Sequence, residues 1–208
     1  MKERFGLYLI ATDPKAGYEA VARAAVACNV RYLQLRMKDE PRDRILETAH
    51  LYRNLTRGTA TRFIVNDDLE IAMAVGADGV HLGQSDMSVT RARQSWNTPG
   101  KFFGLSTHSM EQAEKAAGLE PDYIGIGPVF PTQTKQNAAP CLGAEEAGKI
   151  AERTAITAVA IGGIDAHNLP VVLRAGIENY CVVGAVNNHP DPIAAIRNLQ
   201  KIWETHVF

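Results

Sequence analysis

The 208-residue chain is long enough for one large domain or two small ones. Hydrophobic residues make up 46% and charged residues 22%, which is ordinary for a globular protein, and the net charge of −1 gives no basic field that would attract nucleic acid. No apolar run approaches the roughly 18 residues of a membrane span, and the first residues lack the pattern of a secretory signal.

Eight short apolar runs alternate with longer amphipathic segments along the whole chain. The predicted strands are Leu7–Ala11, Tyr32–Arg36, Arg62–Asn66, Gly79–Leu82, Phe102–Ser106, Tyr123–Ile126, Ala158–Ile161 and Tyr180–Val183. Strands that alternate with helices pair in parallel, and eight such units favour a closed (β/α)8 TIM barrel over an open doubly wound sheet. No linker or charge block divides the sequence, so residues 1–208 are predicted to form a single domain.

Polar residues collect after the second strand, at the barrel end where parallel barrels carry their chemistry. Gln34, Arg36 and Lys38 occupy alternate positions, so their side chains are expected to face the same way. A guanidinium inside the barrel needs an anion, because an unpaired buried charge is costly. An inward, functional orientation is therefore favoured over simple strand-end charges at the surface.

Acidic residues follow the third and fourth strands. Asn66, Asp67 and Asp68 could all cap the next helix, but Asp68 is best placed and Asp67 is left as a spare carboxylate. Asp86 could likewise be only a helix cap. As a pair on neighbouring strand ends, Asp67 and Asp86 could share Mg²⁺, which takes one or two carboxylates and leaves its other positions to water and phosphate oxygens. His108, after the fifth strand, could be a proton-transfer group or a structural histidine.

The loop after the sixth strand reads GPVFPTQTK, and it presents two hydroxyls and an ammonium that suit an anion. Gly162 and Gly163 follow the seventh strand, where they either make a plain turn or let backbone N–H groups approach a phosphate. Gly184 holds the matching place after the eighth strand. Magnesium with several cations suits a diphosphate leaving group, and no Ser/Cys–His nucleophile arrangement stands out. The residues alone indicate a transferase or lyase for phosphorylated small molecules.

Seven motifs occur in order at the predicted strand ends: QLRMK, VNDD, ADGVHLGQSD, GLSTHS, GIGPVFPTQTK, AIGGI and VVGA. In these residues the chain resembles the thiamine-phosphate synthase family, and the resemblance covers nearly the whole chain. It implies a TIM barrel that condenses a hydroxymethylpyrimidine diphosphate with a thiazole phosphate, in an Mg²⁺-dependent reaction that gives thiamine phosphate and diphosphate. The implied mechanism is dissociative: diphosphate leaves first, and the thiazole nitrogen then attacks a pyrimidine methylene cation.

The resemblance also implies a role for each motif residue. The pyrimidine diphosphate site would comprise Gln34, Leu35, Arg36, Met37, Lys38, Asn66, Ser106 and Lys135. The catalytic residues among them would be Arg36, Lys38, Ser106 and Lys135. The thiazole phosphate site would comprise Thr132, Gln133, Thr134, Gly163, Val183 and Gly184, and the Mg²⁺ ligands would be Asp67 and Asp86. The segment PTQTKQNAAPCLG could fold over the phosphates as a lid.

Two residues depart from the family pattern. Met37 stands where the family usually has Glu, and it should be tolerated because it alternates with Arg36 and Lys38 and so faces away from the site. Gly184 replaces the usual Ser. Glycine preserves a phosphate contact made by the backbone N–H, whereas a contact made by the hydroxyl would be lost.

Other interpretations remain open at this point. A thiazole tautomerase shares the barrel but needs no diphosphate site, and a non-catalytic phosphate-binding barrel would not need both acidic residues. The predicted partners are small-molecule substrates, without nucleic acid or membrane. Three widely spaced cysteines without a C-x-x-C pair favour reduced thiols and a cytoplasmic location. Trp96 and Trp203 could pack internally or against a second copy in a homo-oligomer.

Overall fold

A computed structural model describes residues 2–132, 134 and 139–207, and over this part of the chain eight parallel strands close into a barrel. The strands are β1 (Leu7–Ala11), β2 (Tyr32–Leu35), β3 (Arg62–Asn66), β4 (Gly79–Leu82), β5 (Phe102–Thr107), β6 (Tyr123–Ile126), β7 (Thr157–Ile161) and β8 (Tyr180–Val182). Each strand pairs with its sequence neighbours, and β8 pairs with β1 to close the ring. The predicted TIM barrel is confirmed, and the open sheet is excluded.

The helices lie between successive strands and after the last one. They are α1 (Tyr18–Ala27), α2 (Arg42–Thr56), α3 (Leu69–Val75), α4 (Val89–Ser95), α5 (Met110–Ala116), α6 (Gly143–Arg153), α7 (Leu169–Arg174), α8 (Gly184–Asn187) and α9 (Pro192–Val207). No helix in the described ranges is long and apolar enough to cross a membrane.

Short polar side chains cap the starts of α3, α4 and α5. Asp68 accepts a hydrogen bond from the Ile71 N–H at 2.8 Å and so caps α3, as predicted. Ser88 caps α4 and Ser109 caps α5 in the same way. The cap of α4 is therefore Ser88 and not Asp86, whose carboxylate remains available for another role.

The alternation of side chains along the strands produces two separate cores. The barrel interior is filled by Tyr8, Ile10, Tyr32, Ile64, Tyr123, Val159 and Cys181. The outer core lies between the strands and the helices and takes the intervening residues, among them Leu33, Leu35 and Met37. Burial of one such aliphatic side chain stabilises the fold by about 1.5–3 kcal/mol. Met37 thus faces away from the barrel mouth, as its position in the sequence predicts.

The amino-terminal segment closes one end of the barrel. The Asn179 side chain accepts hydrogen bonds from the N–H groups of Phe5 and Gly6 and donates to the Glu3 carbonyl. The Glu3 carboxylate in turn accepts from the Tyr32 hydroxyl and from Arg62. The described residues thus cover this end, and the cavity available to a ligand lies at the opposite end, where the strands reach their carboxyl termini.

Both tryptophans pack against their own chain. Trp96 is buried and lies edge-on to Phe103, with ring centroids 6.1 Å apart. Trp203 covers Gly6 and donates from its indole nitrogen to the Glu178 carbonyl. Internal packing therefore accounts for both residues.

Candidate active site

A cavity of about 610 Å³ opens at the carboxyl ends of the strands. It is lined by residues from every strand end between β2 and β8. The predicted site residues that line it are Gln34, Arg36, Lys38, Asn66, Asp67, Asp86, Ser106, Thr132, Thr134, Gly163, Val183 and Gly184. Residues that are up to 150 positions apart in the sequence, from Gln34 to Gly184, are thus brought to a single rim.

Two of the described site residues do not line this cavity. The side chains of Leu35 and Met37 lie in the outer core, so only their backbone could meet a ligand. The strand period of two sends Leu35 and Met37 to the opposite face from Gln34. Gln133 and Lys135 lie outside the described residues.

Two carboxylates face each other on the rim. Asp67 has a left-handed backbone with φ of 60°, and its N–H is held by the His81 carbonyl at 2.8 Å. Burial and the neighbouring Asp67 carboxylate together raise the pKa of Asp86 above its usual value. The Lys38 ammonium bonds Asp67 Oδ2 at 2.5 Å, and the Gly83 N–H donates to Asp86. A cation placed between two carboxylates relieves their repulsion, so the pair is suited to bind one.

A row of five polar side chains crosses the barrel beneath the cavity. Gln34 Nε2 donates to the Tyr8 hydroxyl at 2.8 Å, and that hydroxyl lies 2.8 Å from the hydroxyl of Tyr123. His81 Nδ1 lies 3.2 Å from the Tyr123 hydroxyl. On the other side of the ring, His81 Nε2 lies 2.9 Å from Ser106 Oγ. The row therefore links the two predicted site residues Gln34 and Ser106 through three that were not predicted.

The glycines after β7 allow two loops to touch. Gly162 has φ of 103°, and a Cβ there would stand 2.5 Å from Pro128 Cα. Gly163 has φ of 63°, and its Cβ would stand 2.5 Å from the Pro131 carbonyl oxygen. Both positions thus require glycine, on account of backbone conformation and of close approach. The sequence left a plain turn and a phosphate-binding turn open, and the packing of the neighbouring loop by itself accounts for both glycines.

Neutral donors surround this side of the cavity. Thr132 Oγ1 accepts from the Thr134 N–H at 3.3 Å, which holds the two threonines together. Gly184 begins α8, and a Cβ on it would stand 3.1 Å from the Asn188 side-chain nitrogen. Asn188 also lines the cavity and was not predicted. The described part of this region offers hydroxyls and amides, whereas the cations Arg36 and Lys38 come from the β2 end.

Comparison with known proteins shows the family. A family model described as thiamine monophosphate synthase matches residues 7–186. The chain belongs to the thiamine monophosphate synthase family. Thiamine-phosphate synthesis, a group-transfer reaction, is the function that goes with this membership.

Curated members of the family resemble the chain over most of its length. Thiamine-phosphate synthase of Archaeoglobus fulgidus is 37% identical over 204 residues, covering 97% of this chain and 95% of the relative. The enzyme of the same name from Methanocella arvoryzae is 42% identical over 182 residues, covering 88% and 85%. A solved structure of thiamine phosphate pyrophosphorylase from Pyrococcus furiosus is 36% identical, with a TM-score of 0.87 and 98% of each chain covered.

Within this member of the family, sequence reasoning missed residues of two kinds. Tyr8 and Tyr123 occupy strand positions where aromatic residues normally fill the core, so nothing in the sequence marked them as polar participants. His81 carried a signal, because a histidine is unusual between Val80 and Leu82 of a buried strand. His108 lines the cavity, and its Nδ1 lies 2.6 Å from the Gly127 carbonyl oxygen. The hydrogen bond is compatible with a structural role and the place on the cavity wall with proton transfer, so both roles of His108 stay predictions.

Proposed function

We propose that the cavity joins 4-amino-2-methyl-5-(diphosphooxymethyl)pyrimidine to 4-methyl-5-(2-phosphooxyethyl)thiazole, releasing diphosphate and forming thiamine phosphate, a step in the biosynthesis of thiamine diphosphate. The observation that carries this proposal is the convergence of two cations and two carboxylates, Arg36, Lys38, Asp67 and Asp86, on one wall of the cavity. Neutral donors lie across from them. A diphosphate needs cations and a metal, whereas a monophosphate ester can be held by N–H and O–H groups.

The acidic pair fits Mg²⁺. Asp67 and Asp86 offer hard oxygen donors, and the described residues contain no cluster of three or more His, Cys, Asp or Glu that would make a closed protein cage. Mg²⁺ typically takes one or two carboxylates and completes its shell with water and phosphate oxygens. When bound, it would neutralise the charge that grows on the departing diphosphate. The Lys38 ammonium lies close to both carboxylates and offsets part of their repulsion.

Gln34 supports an amino group as part of the ligand. Its side chain is only 1% exposed, and Oε1 has no hydrogen-bond partner among the described residues. A buried acceptor without a donor costs about 1–3 kcal/mol, which a ligand N–H would recover. An aminopyrimidine carries such a group. Since Gln34 lines the cavity, it is assigned to the pyrimidine ring.

The remaining residues would bind and position the two substrates. Arg36, Lys38 and Ser106 are assigned to the diphosphate, where donors that are already in place stabilise the charge of the leaving group. Thr132, Thr134, Gly163, Val183 and Gly184 are assigned to the thiazole phosphate. Holding the two rings in line supplies the rest of the rate enhancement. Leu35 and Met37 retain only a backbone role. Gln133 and Lys135 keep their assignments from the sequence alone.

The alternative activity within the superfamily is thiazole tautomerisation. It would use one phosphate site and a proton-transfer group, and His108 lies on the cavity wall where such a group could act. Arg36, Lys38, Asp67 and Asp86 would have no function in that reaction. Their presence on the same wall favours the two-substrate reaction.

The proposed location is the cytoplasm. Cys28, Cys141 and Cys181 are free thiols in the structure, as expected for a reducing compartment. Cys28 and Cys181 are buried and contribute to packing.

The deciding experiment mixes both phosphorylated heterocycles with Mg²⁺ and follows thiamine phosphate and diphosphate together. We expect both products in equal amounts, and neither product when either heterocycle or the metal is left out. A parallel reaction with the thiazole phosphate alone tests for tautomerisation by proton exchange into deuterated water. Exchange without thiamine phosphate formation would replace the proposed function by the alternative.

A further inference from the structure

The five polar groups beneath the cavity form one unbroken hydrogen-bonded sequence, which we call the cross-barrel row: Gln34, Tyr8, Tyr123, His81 and Ser106. A phenol donates one hydrogen bond and can accept others, and an imidazole that carries one proton donates at one ring nitrogen and accepts at the other. Once the first group donates, each following group keeps an acceptor for its own proton by donating onward in the same direction. The row therefore has a direction, and its two ends are coupled.

The Gln34 amide sets this direction. Its Nε2 can only donate, so the Tyr8 hydroxyl accepts, and the Tyr123 hydroxyl is the row's acceptor for the Tyr8 proton. In this direction Tyr123 donates to His81 Nδ1, and the imidazole proton belongs on Nε2. His81 Nε2 donates to Ser106 Oγ at 2.9 Å. The tautomer of His81 thus follows from the orientation of an amide on the other side of the barrel.

We propose that the cross-barrel row aims the Ser106 hydroxyl proton into the cavity, and that Tyr8, Tyr123 and His81 are positioning residues for the diphosphate. Because Ser106 Oγ accepts from His81, its single proton stays available for a phosphate oxygen. In the opposite direction, Ser106 would donate to His81 and present lone pairs to the anion, which would repel it. The identity of the anion rests on the proposed function; the direction of the row does not.

The row also links the two ends of one substrate. With Nε2 bound to Tyr8, Gln34 offers Oε1, which needs an N–H donor. At the other end, Ser106 offers an O–H, which needs an acceptor. A ligand with an amino group at one end and an anionic phosphate at the other satisfies both. A ligand with an acceptor in place of the amino group would favour the flipped amide and the reversed row, and so weaken the phosphate contact.

The two phenols are kept in their donating form by burial. Tyr8 and Tyr123 are only 2% exposed, and burial raises the pKa of both hydroxyls above the ordinary value. Neither group ionises near neutral pH, so the row is not interrupted there. Both hydroxyls thus keep the proton that a continuous row requires.

A double-mutant cycle on diphosphate binding tests the proposal. Inorganic diphosphate with Mg²⁺ is titrated calorimetrically into the wild type, Tyr123→Phe, Ser106→Ala and the double variant. We expect Tyr123→Phe to weaken binding about tenfold, the size of one hydrogen bond. In the Ser106→Ala background, Tyr123→Phe should weaken diphosphate binding by less than about twofold. Tyr180→Phe is the matched control, since Tyr180 is a fully buried strand tyrosine whose hydroxyl has no partner within the described residues.

Nitrogen-15 NMR of histidine-labelled protein gives a second readout, without ligand or metal. The chain has six histidines, and the resonances of His81 are identified by their loss in His81→Gln. We expect the Nε2–H tautomer for His81 in the wild type and in Tyr180→Phe, and a mixture of tautomers in Tyr123→Phe. The Nδ1–H tautomer in the wild type would overturn the proposed direction.

The outcomes separate this proposal from the proposed function. If Tyr123→Phe lowers diphosphate affinity equally in the wild type and in Ser106→Ala, Tyr123 acts through packing. If it lowers the affinity in neither, Tyr123 does not belong to the site. Either result would overturn the proposed role of the row. Coupled losses with the expected tautomer, in a protein that makes no thiamine phosphate, would uphold the row and reject the function.

Discussion

At the scale of single residues, Asp67 of the acidic pair gives the strictest test of the proposed metal site. Asp67 lies on the cavity wall with a left-handed backbone, whereas the next residue, Asp68, caps α3 and does not line the cavity. Their neighbouring positions provide a matched pair of variants. Asparagine tolerates a left-handed backbone and is also a good helix cap, so the same substitution removes only the charge at either site.

We expect Asp67→Asn to lower kcat/KM for the two-substrate reaction by about 100-fold or more, because the metal and the leaving group lose a charge partner. Asp68→Asn should stay within about threefold of the wild type, since the cap is retained. Steady-state kinetics at saturating Mg²⁺ measures both. Thermal unfolding of both variants checks that the fold is intact. Near-normal turnover in Asp67→Asn would remove Asp67 from the metal site.

A second residue-scale prediction concerns Gly184. A side chain there would meet the Asn188 amide nitrogen at 3.1 Å, which is tight, but the amide is the free end of an exposed side chain and can move. We expect Gly184→Ser to change the affinity for the thiazole phosphate by no more than several-fold, as measured by titration. Gly184→Ser combined with Asn188→Ala should behave the same. A change of a hundredfold would mean that the backbone N–H is not the contact.

At the scale of elements, the loop after β7 depends on glycine for two separate reasons. Gly162 combines φ of 103° with a Cβ position 2.5 Å from Pro128, whereas Gly76 at the end of α3 has φ of 65° and open space around it. Gly76→Ala should cost about 1 kcal/mol, the price of a left-handed alanine. Gly162→Ala should cost about 3 kcal/mol, because overpacking is added to strain. Urea unfolding measures the free energy of unfolding of both variants. Equal losses of stability would show that the loops after β6 and β7 can move apart.

The elements themselves were predictable because their hydrophobic period is strong. Four strands match the sequence prediction at both ends, and the other four differ by one residue at one end. The last residue of a strand depends on where the strand separates from its neighbours. The Arg36 N–H, for example, still donates to the Ala11 carbonyl, although β2 ends at Leu35. The cap of α4 was not decided in advance, since Asp86 and Ser88 suit a cap equally well by residue type.

At the scale of the whole molecule, the site was predictable as a set of strand ends but not as a network. The rule that parallel strands carry chemistry at their carboxyl ends brought Arg36, Asp67 and Ser106 together. It could not reveal the cross-barrel row, because contacts across the lumen depend on the stagger of the strands and on side-chain length. Tyr8 and Tyr123 therefore looked like ordinary core residues, although their hydroxyls connect the two ends of the site.

The last prediction concerns Glu3, at the closed end of the barrel, and the dependence of stability on pH. Burial alone would raise the pKa of Glu3, but the hydrogen bond from Tyr32 and the charges of Arg62 and Arg31 outweigh it and hold the pKa below its usual value. A carboxyl whose pKa is lowered in the folded state stabilises the fold above its unfolded pKa of about 4.3, and this stabilisation is lost as the pH falls through the folded value.

We therefore expect Glu3→Gln to lower the free energy of unfolding by about 1 kcal/mol at pH 7, and the difference from the wild type to shrink steadily below about pH 4. Urea unfolding at a series of pH values measures it. Glu178→Gln is the control, because Glu178 pairs with Arg4 at the exposed surface, where the Glu178 side chain is 46% accessible. If the difference in free energy of unfolding between Glu3→Gln and the wild type does not change with pH, the packing of residue 3 and not its charge stabilises this end of the barrel.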